Sequence, residues 1–132
     1  MKGIKTKILT PYGPVFKGLS TGVNLPGTEG AFEVKYNHAS LMSMLDIGKI
    51  IVRVENGKDE VFTVNGGFVE VDDNAVTVLA ESAERKDDID IERAKMAKAE
   101  AEKKIKLENQ KDIQMELALK RALNRIKVAE LR

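Results

Sequence analysis

The chain has no cysteine and no tryptophan, and only one histidine and three prolines among its 132 residues. Without cysteine there is no disulfide framework, no thiol nucleophile and no thiolate metal site. A single imidazole, His38, leaves almost nothing from which to build a zinc centre or an imidazole-based triad, so neither catalytic metal nor catalytic cofactor is expected. No run approaches the roughly 18 to 20 apolar residues of a membrane-spanning helix, and the start, Met1-Lys2-Gly3-Ile4-Lys5, lacks the apolar core of a secretory signal. A cytosolic chain without direct membrane insertion is the expectation. An excess of either charge is missing too, with 22 Lys plus Arg against 21 Asp plus Glu, and aromatic residues make up only 5%. No global field then favours nucleic acid or anionic lipid, and few rings could stack on bases, so nucleic-acid binding is not expected.

These scarcities are unevenly spread. Every Gly, every Pro and every aromatic residue falls before Glu81, whereas the chain from Asp87 onward is built mainly from Ala, Leu, Lys, Glu and Arg. Two unlike units are expected, residues 1–86 and residues 87–132, meeting in the stretch from Glu81 to Ala94. That joint carries the chain's most specific short pattern, Ile89-Asp90-Ile91-Glu92-Arg93-Ala94, which reads Ile-Asp-x-x-Arg-Ala.

From Ile4 to Glu81 the apolar residues recur with period two and are interrupted by turn chemistry, the pattern of a sandwich or barrel of short strands. About nine or ten strands are expected, with Leu19–Leu25 as one of them and the last closing at Ala80. Asn56-Gly57 is the strongest hairpin signal, since both residues tolerate the positive φ of a type I′ turn. Ile50, Val52 and Val54 would face one side with Phe62 and Val64, leaving Arg53, Glu55 and Thr63 on the other. Asn65-Gly66-Gly67 reads as a tight turn ending one strand, because no phosphate-loop pattern or helix start follows it. Asp72-Asp73 and Asp87-Asp88 lack the further ligands of a calcium loop and read as turn and cap residues.

Past the joint, Asp87, Asp88 and Asp90 crowd a helix start, where carboxylates cap free N–H groups. A first helix is expected from about Ile89 to Leu107, with Ile91, Ala94, Ala97, Ala101 and Ile105 on a thin apolar face. A second, from about Asp112 to Leu131, carries Met115, Leu119, Ala122, Leu123, Ile126 and Ala129. Leu107–Asp112 contains neither Gly nor Pro, so a helical hairpin is favoured but one long helix is not excluded. In a hairpin Arg93 and Arg125 come roughly level at about 1.5 Å per residue, with Arg121 one turn from Arg125. Spacing alone leaves two readings. These are surface arginines paired with Asp90, Glu92 or Glu116, or they converge with the free N–H groups of the helix start as an anion site.

Four segments, in this order and spacing, carry a resemblance over the whole length. They are Pro26-Gly27-Thr28-Glu29-Gly30 with His38-Ala39, Asn65-Gly66-Gly67-Phe68-Val69-Glu70-Val71, Val76-Thr77-Val78-Leu79-Ala80-Glu81-Ser82-Ala83-Glu84, and Leu119-Lys120-Arg121-Ala122-Leu123-Asn124-Arg125-Ile126. The chain resembles the epsilon subunits of bacterial and chloroplast F-type ATP synthases. That resemblance implies a flattened β-sandwich of about ten strands followed by a C-terminal two-helix hairpin. It implies a non-catalytic central-stalk subunit that docks on the gamma subunit and the c-subunit ring and inhibits ATP hydrolysis through its helices. It implies a peripheral place on the cytoplasmic face of the plasma membrane, or on the thylakoid in a plastid.

By the same resemblance Glu84, Ile89, Asp90, Arg93 and Ala94 hold one side of a regulatory ATP, with or without Mg, and Arg121 and Arg125 hold its phosphates. Some family members carry a further Arg a turn or two along the first helix, where this chain has Lys95 and Lys98 nearby. Glu29, Gly30 and His38 belong to the loops that face the c ring, although Ala31, Glu33 and Lys35-Tyr36-Asn37 depart from the usual residues there. Lys120, Arg121, Arg125 and Lys127 form a basic stretch that meets an acidic segment of the alpha/beta catalytic assembly when the arm is extended. The residues alone admit one other reading, a free-standing nucleotide-sensing sandwich whose helical arm closes on a ligand. An enzyme is the weakest reading, since no nucleophile and base pair can be named.

Overall fold

The computed structural model describes residues 3–55, 57–108 and 113–131. These residues separate into two compact units, Met1–Arg85 and Lys86–Arg132.

The first unit is all β. Among the described residues eight strands follow in order: β1 Ile4–Thr10, β2 Gly13–Ser20, β3 Gly22–Gly27, β4 Gly30–Lys35, β5 Leu41–Arg53, β6 Glu60–Asp72, β7 Ala75–Ala80 and β8 Ala83–Arg85. They are bonded in the order β2-β1-β7-β6-β5-β3-β4, with β8 beside β6. All neighbours are antiparallel except β1 and β7. Alternation in β1 places Ile4 and Ile8 inside with Lys5 and Lys7 outside. Val23, Leu25, Ile50, Val52, Phe62, Val64, Val69, Val76 and Val78 complete a core at 0% exposure.

The strand count is lower than the sequence suggests because β5 and β6 each join two expected strands. Gly66 and Gly67 do not end β6 but lie within it, at φ of 88° and 145°. Around them the buried positions change from Phe62 and Val64 to Val69 and Val71, while the register with β5 is the same on both sides. Glycine alone tolerates that φ, and a Cβ on Gly67 would stand 2.4 Å from the Leu79 carbonyl oxygen. The pair thus works as a corner inside a continuous ladder rather than as a turn.

Other boundaries also shift. Leu19–Leu25 is not one strand, since β2 ends at Ser20 and β3 begins at Gly22. The ladder of β5 and β6 closes at Val52 and Glu60, so their connection is longer than a two-residue turn, and Asn56 of the expected hairpin lies outside the described residues. Among the described residues, Asp73-Asn74 between β6 and β7 forms a two-residue turn with both φ positive, at 46° and 59°. Asp and Asn reach this region more easily than other non-glycine residues. The strand set also does not finish at Ala80, because β8 adds pairs from Ala83 to Val64, Glu84 to Thr63 and Arg85 to Phe62. Thr63 is only 1% exposed, so at this point both faces of β6 are covered.

At the end of β5, Arg53 joins Glu33 on β4 at 3.0 Å and Asp59 at 2.9 Å. The hydrogen bond from Arg53, helped by the charges of Arg53 and Lys35, holds the Glu33 carboxyl below its ordinary pKa against the opposing effect of burial. Arg53 is raised for the reciprocal reason. With both partners partly in water, such a cluster is worth little to stability.

The second unit is all helix. A 3-10 turn, Lys86–Asp88, leads to α1, Ile91–Glu108, and α2, Ile113–Ala129, which lie against each other. The residues joining them, 109–112, lie outside those described.

Candidate functional site

The Ile-Asp-x-x-Arg-Ala stretch is the start of α1. Asp90 is its N-cap, with Oδ1 accepting the Arg93 N–H at 3.0 Å and the Asp90 carbonyl accepting the Ala94 N–H at 3.0 Å. The Ile89 N–H donates to the Lys86 carbonyl at 3.2 Å, closing the 3-10 turn that contains Asp87 and Asp88. One of the free N–H groups expected here for a phosphate, that of Arg93, is therefore taken by Asp90, and a carboxylate already sits at the positive end of the helix dipole. Phosphate is disfavoured at this end for that reason.

The face α1 turns inward is Ile91, Ala94, Lys98, Ala101 and Ile105. Ala94 and Ala101 are buried and the other three are half-buried, while Ala97 is exposed. The expected stripe through Ala97 fails because spacings of three and four alternate along a helix–helix seam, which selects position 98. On α2, Ala122 is buried and Met115, Leu119, Ile126 and Ala129 are half-buried. Leu123 is 45% exposed, since it stands about 100° round the helix from Ala122, and Val128, which the stripe missed, is 1% exposed.

The four cations of α2 do not share a face. Lys120 and Lys127 are exposed, whereas Arg121 and Arg125 are half-buried. Arg121 carries the most unusual polar atom of this unit. Its Nε is withdrawn from solvent and has no hydrogen-bond partner among the described residues. An unmade hydrogen bond at such a donor costs about 1–3 kcal/mol and calls for an acceptor.

Arg93 stands about 22 Å along α1 from Glu108, and Arg125 about 18 Å along α2 from Ile113. Arg93 is exposed. Of the expected nucleotide set, the structure thus joins Asp90, Arg93 and Ala94 through the cap and places Arg121 and Arg125 on successive turns of the neighbouring helix. Glu84 belongs to the first unit, where β8 pairs it with Thr63.

The other candidate residues lie in the sandwich. Glu29 is exposed at the tip of the β3–β4 hairpin, and Gly30 opens β4 at φ 131°. His38 follows the opposite end of β4, with Nδ1 2.7 Å from the Ala39 carbonyl oxygen. A surface using all three positions spans the length of that strand, about 16 Å.

Comparison with known sequences decides the relationship. The family described as ATP synthase, Delta/Epsilon chain, beta-sandwich domain matches residues 3–86, and ATP synthase, Delta/Epsilon chain, long alpha-helix domain matches residues 87–130. The chain belongs to the ATP synthase delta/epsilon family. The ATP synthase epsilon chain of Bacillus pumilus is 40% identical over 130 residues, covering 98% of both chains. That of Desulfitobacterium hafniense strain Y51 is 44% identical over 124 residues, 93% of each. A chain of the Euglena gracilis mitochondrial ATP synthase, solved by cryo-EM as an OSCP/F1/c-ring assembly, shares the fold with a TM-score of 0.81 over 94% of this chain and 79% of its own, at 24% identity. As an epsilon-type member of the delta/epsilon family, the protein is a non-catalytic subunit of the central stalk of the F-type ATP synthase. Among the described residues no helix is long and apolar enough to cross a membrane.

Proposed function

We propose that the sandwich couples the gamma subunit to the c ring, on the cytoplasmic face of the membrane, while the helical unit is an ATP-responsive arm. In the closed arm, ATP lies with its phosphates on Arg121 and Arg125 and its nucleoside along Ile89, Asp90, Arg93 and Ala94. When the arm extends, the basic stretch Lys120, Arg121, Arg125 and Lys127 engages the alpha/beta assembly and restrains hydrolysis. The observation that carries this reading is the buried Nε of Arg121, a donor for which the described residues supply no acceptor. An alanine-lined seam is a weak clasp, since Ala94, Ala101 and Ala122 bury little apolar area. A ligand at ten times its dissociation constant adds about 1.4 kcal/mol to the closed form, enough to shift such a balance.

Truncation tests the division of labour. A chain cut after Lys86 keeps β8 and its pairs with β6, so it is expected to fold and to bind gamma within about tenfold of the full chain. It should show no heat of ATP binding, and synthase carrying it should hydrolyse ATP at least as fast. A larger loss of gamma affinity would place the arm in the docking surface, and slower hydrolysis would contradict its restraining role.

A further inference from the structure

Asn37, at φ 64° just ahead of His38, is tied to a distant part of the sandwich. Its backbone N–H donates to Oδ1 of Asn74 at 2.6 Å, and Nδ2 of Asn74 donates back to Oδ1 of Asn37 at 3.3 Å. Three residues on, the Ser40 hydroxyl donates to Oδ1 of Asp72 at 2.6 Å. These bonds join the loop of residues 36–40, which links β4 to β5, with the Asp73-Asn74 turn and the end of β6. His38 lies between the two ties. The turn is a firm support, because Asp72 pairs with Ala75 across it and the Asn74 carbonyl accepts the Lys5 N–H of β1 at 2.9 Å. The loop follows β4, the last strand of the bonded order, and closes a turn of its own where the His38 N–H donates to the Lys35 carbonyl at 3.1 Å. Within it the Ala39 carbonyl oxygen can only accept, so the proton it shares with His38 belongs to Nδ1, and Nε2 of the neutral ring is left as an acceptor.

We propose that Asn74 is a positioning residue for docking: from the neighbouring turn it fixes the loop of His38, so that Nε2 of His38 meets a hydrogen-bond donor of the c ring. This rests on the reading that the sandwich meets the c ring through that loop. Five residues free to move lose conformational freedom when a partner seats on them, and a loop already held loses less. Asn suits both ends of the tie. At φ of 64° and 59° Asn37 and Asn74 occupy the left-handed region, which Asn reaches more easily than most residues, and each side-chain amide offers a donor and an acceptor. The group sought on the ring is an N–H or O–H, since Nε2 brings no hydrogen of its own.

The test is titration of the full chain with the cognate c ring in detergent and, separately, with the gamma subunit, joined to amide hydrogen exchange. Asn74→Gly keeps the φ of the turn but removes the tie. It is expected to weaken ring binding about fivefold, to leave gamma binding within about twofold, and to speed exchange of the Asn37 amide about tenfold. Asn74→Asp tolerates the same φ and keeps an oxygen for the Asn37 N–H, so it should recover most of both losses. His38→Ala should weaken ring binding at least as much while the Asn37 amide stays protected. Equal ring affinity for Asn74→Gly and the parent chain, with a loss in His38→Ala, would overturn the positioning role and leave the ring-facing reading intact. A like fall in gamma affinity, or no recovery in Asn74→Asp, would mark general damage to the turn and overturn that role as well. Undiminished ring binding in His38→Ala would refute both.

Discussion

Replacing Phe62 with Ala is expected to remove about 3–5 kcal/mol of stability from the sandwich, a large part of the margin of a domain this size. Phe62 is fully buried, and its ring meets Phe16 edge-to-face at 5.8 Å and 69°. The Arg85 guanidinium lies 5.2 Å from the centre of the same ring and 6.0 Å from that of Phe16. Arg85 is bonded to Glu60 as well, so the last residue of the sandwich is held by an aromatic pair and a carboxylate together. Truncating Phe62 therefore opens a cavity, removes the ring partner of Phe16 and loosens β8 in one step. Urea unfolding of the variant and the parent measures the loss. A cost below about 1 kcal/mol would show that the core collapses around the missing ring and that Arg85 takes little support from it.

Arg121→Ala is expected to weaken ATP binding about thirtyfold or more, the effect of losing a charge-assisted contact of roughly 2 kcal/mol. Without ATP, the same substitution should leave the helical unit as stable as before or slightly more so, because it deletes a buried donor that has no acceptor among the described residues. The two readouts together separate a ligand contact from a packing role. Affinity comes from calorimetry, and stability from the helical signal on heating without nucleotide. Unchanged affinity with a loss of helix stability would make Arg121 a structural residue and remove the main support for the nucleotide site.

The layout of the chain was legible in its sequence where one physical signal dominated. Alternation along β1 and at Ile50, Val52, Phe62 and Val64 marked the core, and the confinement of Gly, Pro and aromatics to the first unit marked the change from strand to helix. Signals failed where two features overlap. Gly66-Gly67 has turn composition, but glycine also permits a corner within a paired strand, and only the register with β5 tells the two apart. β8 is three residues of half-buried Ala, Glu and Arg, too short and too mixed for any periodicity to show. The apolar stripe of α1 was misplaced by one position at Ala97 because a half-buried lysine, Lys98, carries no hydrophobic mark, and that of α2 took in Leu123 because it is apolar although it stands about 100° round the helix from Ala122. The motif at Asp90 and Arg93 was visible as a pattern, but its local work proved to be capping. The unsatisfied Nε of Arg121 has no sequence signature, since satisfaction depends on what surrounds an atom in space.

The central claim is that ATP holds the two helices closed, and amide hydrogen exchange on the full chain with and without ATP tests it most directly. With ATP at ten times its dissociation constant, exchange across α1 and α2 should slow about tenfold, since opening must first release the ligand, while the strands of the sandwich exchange as before. Equal exchange in both helices with and without saturating ATP would contradict the account, leaving a stalk subunit whose arm answers to something other than the nucleotide.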